Sequence, residues 1–129
     1  MSIIYAEDEP SVSKQVEIFL RKFFTDVRVF NSGEKAYIAY LERTCDILIT
    51  DLVMAQMNGI ELLSLVRHIK KEQKIVAITA HDETEYMVKL INIEVDAFLQ
   101  KPLDDRFFLQ TLYTLCKELY EEKNNPNIK

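Results

Sequence analysis

Five residues carry most of the chemistry this chain can offer: Glu7, Asp8, Asp51, Thr79 and Lys101. Each closes a short apolar run. Ile3-Ile4-Tyr5-Ala6 ends at Glu7 and Asp8, Ile47-Leu48-Ile49-Thr50 at Asp51, Ile75-Val76-Ala77-Ile78 at Thr79, and Ala97-Phe98-Leu99 one residue before Lys101. Three carboxylates brought together repel one another, and a hard divalent cation with oxygen ligands offsets that repulsion. Mg²⁺ takes one or two carboxylates, keeps several waters, and so leaves room for phosphate oxygens. A carboxylate is also a nucleophile able to form an acyl phosphate. The charge on a transferring phosphoryl group needs positive and hydrogen-bonding neighbours, which Lys101 and Thr79 have the chemistry to supply. Taken singly, each residue has a plainer reading: an acid at a strand end is often a helix cap, Thr79 a strand residue, Lys101 a surface lysine. Their joint placement favours the functional reading.

That placement requires the apolar runs to be strands of one sheet. Between them lie longer segments with helical spacing. Val12, Val16, Phe19, Leu20 and Phe23 recur over 10–24, and Pro10 suits a first turn. Asn31-Ser32-Gly33-Glu34 reads as a helix cap ahead of Ala36, Tyr40 and Leu41, after a short strand holding Val27 and Val29. Asn58-Gly59 leads into a helix with Ile60, Leu63, Val66 and Ile69. A fourth helix spans about 83–93 with Tyr86, Leu90 and Ile91 inward. A fifth spans about 104–121 with Phe107, Phe108, Leu112, Leu115 and Leu119. Continuous apolar strands are buried on both faces. A β-α unit repeated five times implies a parallel sheet covered by helices on both sides, with ligands at the carboxyl ends of the strands. The expected organisation is one domain over 1–122 and a polar tail over 123–129.

A net charge of −5 without a Lys/Arg cluster argues against direct nucleic-acid binding. Cys45 and Cys116 read as buried free thiols. No apolar stretch approaches membrane-spanning length, and acids interrupt the first apolar run, so a cytoplasmic protein without membrane contact is expected.

These residues resemble the receiver domain of two-component response regulators over about Ile3 to Glu121. The similarity lies in Ala6-Glu7-Asp8-Glu9-Pro10; in Ile47 to Asp51 followed by Met54 and Asn58-Gly59-Ile60-Glu61-Leu62; in Ala77-Ile78-Thr79-Ala80; and in Asp96 to Pro102. The resemblance implies a flavodoxin-like fold with strand order 2-1-3-4-5. It implies that Asp51 accepts a phosphoryl group from a histidine kinase or phosphotransfer protein. Mg²⁺ would be held by Asp8, Asp51 and the Val53 carbonyl, with Glu7 acting through water. Thr79 and Lys101 would bind phosphoryl oxygens, and Phe98 would be a rotamer switch. The Lys101-Pro102 peptide would be cis. Val53 and His81 would flank the path of the hydrolytic water and tune the phosphoryl lifetime.

The implied output surface is formed by the fourth helix, fifth strand and fifth helix, facing a downstream protein or fused output domain. A phosphorylation-dependent dimer stays open. Ala55 stands where the family usually has proline, Glu94 where it often has glycine, and Phe98 where many relatives have tyrosine, so the end of the fourth helix should be capped differently. The competing reading is a pseudo-receiver that signals by protein contact alone; such a module would be expected to lack Asp8, Asp51 or Lys101. An aspartyl-nucleophile phosphatase fits poorly, because Val53 offers no proton where its general acid would stand. A flavin phosphate would be repelled by Glu7-Asp8-Glu9.

Overall fold

The structure, a computed structural model, describes residues 1–54, 57–80 and 84–124. Among these the chain forms β1 (Ser2–Ala6), α1 (Pro10–Arg21), β2 (Asp26–Phe30), α2 (Gly33–Glu42) and β3 (Ile47–Asp51). It continues through α3 (Gly59–Ile69), β4 (Lys74–Thr79), α4 (Met87–Ile93), β5 (Ala97–Gln100) and α5 (Asp105–Asn124). The strands are parallel in the order β2-β1-β3-β4-β5, the flavodoxin-like arrangement.

Alternation along the strands divides the core in two. Ile4, Ala6, Leu48, Ile75 and Ala77 face α2, α3 and α4. Ile3, Tyr5, Ile47, Ile49, Val76 and Ile78 face α1 and α5. With both faces covered, β3 is buried along its whole length, so its sequence reads as an unbroken apolar run.

Caps fix where the helices begin. Ser32 Oγ accepts from the Lys35 amide at 3.1 Å. Asn58 Oδ1 accepts from the Glu61 amide at 3.0 Å, and the Glu61 carboxylate accepts from the Asn58 amide in return. Asp104 Oδ1 accepts from the amides of Arg106 and Phe107 at the start of α5. The chain's two glycines, Gly33 and Gly59, open α2 and α3 where backbones nearly touch. A Cβ on Gly59 would clash with the Asp51 carbonyl oxygen and lie 2.7 Å from Leu52 Cα; one on Gly33 would clash with the Met57 carbonyl oxygen. Both helix starts therefore press on the turn that follows Asp51.

Three expectations are corrected. Ile91 is 62% exposed, and α4 buries Leu90 and Ile93 instead. A 3₁₀ turn over Thr84–Tyr86 precedes α4 and, with three residues per turn, changes the phase of the buried stripe. The α4 end is not capped by a different geometry. Glu94 itself takes the left-handed conformation, at φ 63°, and its amide bonds the Ile91 carbonyl. Arg67 steadies that end by donating to the carbonyls of Ile93 and Glu94. Finally, α5 continues through Lys123 and Asn124. Asn124 Nδ2 donates to the Tyr120 carbonyl, and Lys74 pairs with Glu118 and Glu122. Residues 125–129 lie outside the described residues. Cys45 is buried and Cys116 half-buried, both as free thiols.

Left-handed backbone is unfavourable for a residue with a Cβ. Glu94→Gly is expected to raise stability by about 0.5–1 kcal/mol, since relief of strain exceeds the added freedom of the unfolded chain. Urea unfolding of the two proteins measures it.

Candidate functional site

Strand register brings the chemistry to one edge. Tyr5 pairs with Ile49 and Ala6 with Thr50, so the next step along that register sets Glu7 beside Asp51. The Glu7 amide donates to the Phe30 carbonyl at 3.0 Å, which carries the β1–β2 pairing one residue past β1. On the other side Asp51 pairs with Ile78. The Lys101 amide donates to the Thr79 carbonyl at 2.8 Å, which ties the lysine to the end of β4.

Glu7, Asp8 and Asp51 each offer a carboxylate oxygen within 4.8 Å of the others. Glu7 and Asp51 are buried, and Asp8 is exposed. Lys101 Nζ stands 3.2 Å from Asp51 Oδ2 and 3.3 Å from Glu7 Oε1. The second contact lacks hydrogen-bond alignment and leaves Oε1 without an aligned partner. Asp51 Oδ1 accepts from the Leu52 amide at 3.0 Å, and Glu7 Oε2 from the Glu9 amide at 3.2 Å.

Burial raises the Asp51 carboxyl, Glu7 adds to the rise, and Lys101 opposes it; the result is a pKa of about 6 against an ordinary 3.8. Asp51 is thus mostly ionised at neutral pH, but more basic and more nucleophilic than a solvated aspartate. For Lys101, burial favours the neutral amine, but Asp51 and Glu7 outweigh it and raise its pKa, so the ammonium persists. The donor set is all oxygen, and it includes a buried carboxylate oxygen with no aligned donor. Both features suit a hard divalent cation such as Mg²⁺.

The other expected residues are placed as follows. Thr79 is buried at the end of β4. Phe98 lies on β5 opposite Ala77 and is 37% exposed. Val53 is half-exposed two residues after Asp51. The Lys101–Pro102 peptide is cis. His81 and Ala55 lie outside the described residues.

The profile of the response regulator receiver domain family matches residues 3–113. The chain belongs to this family. Curated relatives include the transcriptional regulatory protein FlgR of Helicobacter pylori, 28% identical over 98% of this chain and 32% of its own length. Another is the regulatory protein VanRB of Enterococcus faecalis, 27% identical over 89% of this chain and 52% of its own. The chain therefore spans from about a third to about half of these two relatives. Among solved structures, the REC domain of AraT, a response regulator from Geobacillus stearothermophilus, superposes with a TM-score of 0.86 at 26% identity, covering 95% of this chain and 97% of that one. The N-terminal domain of a Wolinella succinogenes protein shares the fold, with a TM-score of 0.89 at 23% identity over 95% and 98% of the two chains. Receiver domains are phosphoacceptor signalling units of two-component systems and bind Mg²⁺ through acidic residues. No helix among the described residues of this receiver is long and apolar enough to cross a membrane.

Two contributions to the site were not read from the sequence. The Leu52 amide and the close approach of Gly59 act through backbone, which residue types do not announce.

A carboxyl pKa raised by folding means that the folded state holds its proton more tightly. The stability from this site is therefore present below about pH 3.8 and is lost as pH rises through about 6. Metal-free protein should lose stability from this source across that window. Asp51→Asn should flatten that part of the profile, measured by urea unfolding between pH 3.5 and 7.

Proposed function

We propose that Asp51 is the phosphoacceptor of this receiver and that residues 1–122 work as its signalling unit in the cytoplasm. The observation that carries this reading is Lys101 Nζ 3.2 Å from the buried Asp51 carboxylate, with Glu7 and Asp8 closing an oxygen cage beside it. An Asp51 carboxylate oxygen attacks phosphorus and an O–P bond forms. The donor's P–N or P–O bond breaks, and the leaving group keeps the electron pair. Lys101 offsets charge on the phosphoryl oxygens and Thr79 donates a hydrogen bond to one of them. Asp8, Asp51 and the Val53 carbonyl would hold Mg²⁺, with Glu7 reaching it through water. Held there, the ion would supply positive charge to offset that of the carboxylates and the phosphoryl oxygens. The phosphoryl donor is a histidine kinase or a phosphotransfer protein.

Output passes through the α4-β5-α5 face to a partner or a fused domain. Thr79, drawn toward the phosphoryl group, frees space for Phe98 to turn inward, a shift between two packings. The exposed side chains of Val88, Ile91, Phe107 and Tyr113 lie on the two helices of this face. Val53 offers no hydrogen bond to a hydrolytic water, which favours a long-lived phosphoryl group; Val53→Asn should speed its loss.

Incubation with acetyl phosphate and Mg²⁺, followed by intact mass measurement, should add one phosphoryl group to wild type. No addition is expected for Asp51→Asn or in excess chelator. Full labelling of Asp51→Asn would remove the assignment, and an unlabelled wild type would favour a module that signals by contact alone.

A further inference from the structure

Tyr5 sits at the centre of the sheet, paired with Val29 on one side and Ile49 on the other, and is fully buried. Its phenol oxygen has no aligned hydrogen-bond partner among the described residues. Its ring belongs to the apolar cluster that includes Val16, Leu20, Ile49 and Phe108. The sequence alternates, so Tyr5 and Glu7 project to the same face, one step apart along β1. Glu7 is 1% exposed and its Oε1 also lacks an aligned partner. One buried donor and one buried acceptor, both unmatched, thus stand next to each other beneath the acidic cluster.

The two side chains act on each other. Burial raises the phenol's pKa most, and the nearby charges of Glu7 and Asp51 raise it further. A phenol is neutral at ordinary pH, so the hydroxyl is available as a donor. Polar groups buried in an apolar core are retained where they are matched, and Glu7 is the acceptor within reach.

We propose that Tyr5 is a positioning residue for the cation site: its hydroxyl donates to the Glu7 carboxylate and fixes the orientation in which Glu7 faces the ion and Lys101. The inference rests on the reading of Glu7, Asp8 and Asp51 as a Mg²⁺ site. An outer hydrogen bond of this kind orients a ligand and typically alters metal affinity by tenfold or more. Lys101 cannot substitute for it. The ammonium is shared with Asp51 and is drawn to the phosphoryl group during transfer, whereas the phenol is held by the sheet in every state.

The test is a calorimetric Mg²⁺ titration of wild type, Tyr5→Phe, Glu7→Gln and the double variant, with no phosphodonor present. Tyr5→Phe keeps the ring and the packing, and urea midpoints verify that it folds. Its Mg²⁺ Kd should rise about tenfold, and that increment should vanish in the Glu7→Gln background. The ¹³C shift of the Glu7 side-chain carboxyl in metal-free protein should also move on Tyr5→Phe. Equal Mg²⁺ affinity of wild type and Tyr5→Phe, with an unmoved Glu7 carboxyl, overturns the role of Tyr5 and leaves the cation site standing. An undiminished increment in the Glu7→Gln background likewise overturns it, because the phenol would then act through another group. A wild type with no saturable Mg²⁺ response overturns the cation site, and this proposal with it.

Discussion

Glu7 and Asp51 share the Lys101 ammonium, Asp8 brings a third carboxylate within 4.8 Å, and this crowding of negative charge at a buried sheet edge is the constraint on which the molecule turns. Removing carboxylates from water disfavours their ionised forms, and crowding them adds repulsion. Lys101 relieves part of this, yet Asp51 still titrates near 6. A basic, half-compensated carboxylate is suited to attack an electrophilic phosphorus. The same charge excess suits a cation, so metal affinity and nucleophilicity share one cause.

The fold holds the charges together against that repulsion. The register of β1, β3, β4 and β5 sets Glu7 beside Asp51 and Asp51 beside Ile78, and brings Thr79 and Lys101 to the same end of the sheet, one and two residues beyond that row; buried strands between two helical layers hold these ends together. Gly59 lets the start of α3 lie against the Asp51 backbone, and Gly33 lets α2 press on the same turn. The capping box at Asn58 and Glu61 then fixes where α3 begins. At the opposite edge of the sheet, Lys74 with Asp96, Glu118 and Glu122 ties α5 down. Carboxylates thus crowd at the site end of the sheet, while at the other end Lys74 is paired.

The parallel sheet and the strand-end residues were legible because parallel strands buried on both faces read as apolar runs, and because an acid, hydroxyl or lysine at the close of each run stands out; the strand order came from the resemblance to receiver domains. Ser32 announced its helix by cap chemistry and Pro10 by suiting a first turn, whereas Asn58 was read only as loop and its capping box with Glu61 came from the structure. The inward face of α4 was misread because Ile91 has the right type, and the 3₁₀ turn that rotates the stripe leaves no clear mark in Thr84-Glu85-Tyr86. Glu94 was misread because side-chain type argues against a left-handed cap, whereas Arg67 holds the neighbouring carbonyls from another helix. The end of α5 was drawn short because Lys123 and Asn124 look like tail, although Asn124 closes the last turn with its own side chain. Tyr5 passed as one more apolar residue, because its ring is core and only its hydroxyl is polar.

The central claim is that Asp51, and not its neighbour Asp8, carries the phosphoryl group. Borohydride reduces an aspartyl phosphate to homoserine, which marks the modified position permanently. Protein treated with acetyl phosphate and Mg²⁺, then reduced and digested, should yield homoserine at position 51 alone by tandem mass spectrometry. Homoserine at position 8, or a phosphoryl mass with no reducible acyl phosphate, would contradict the account.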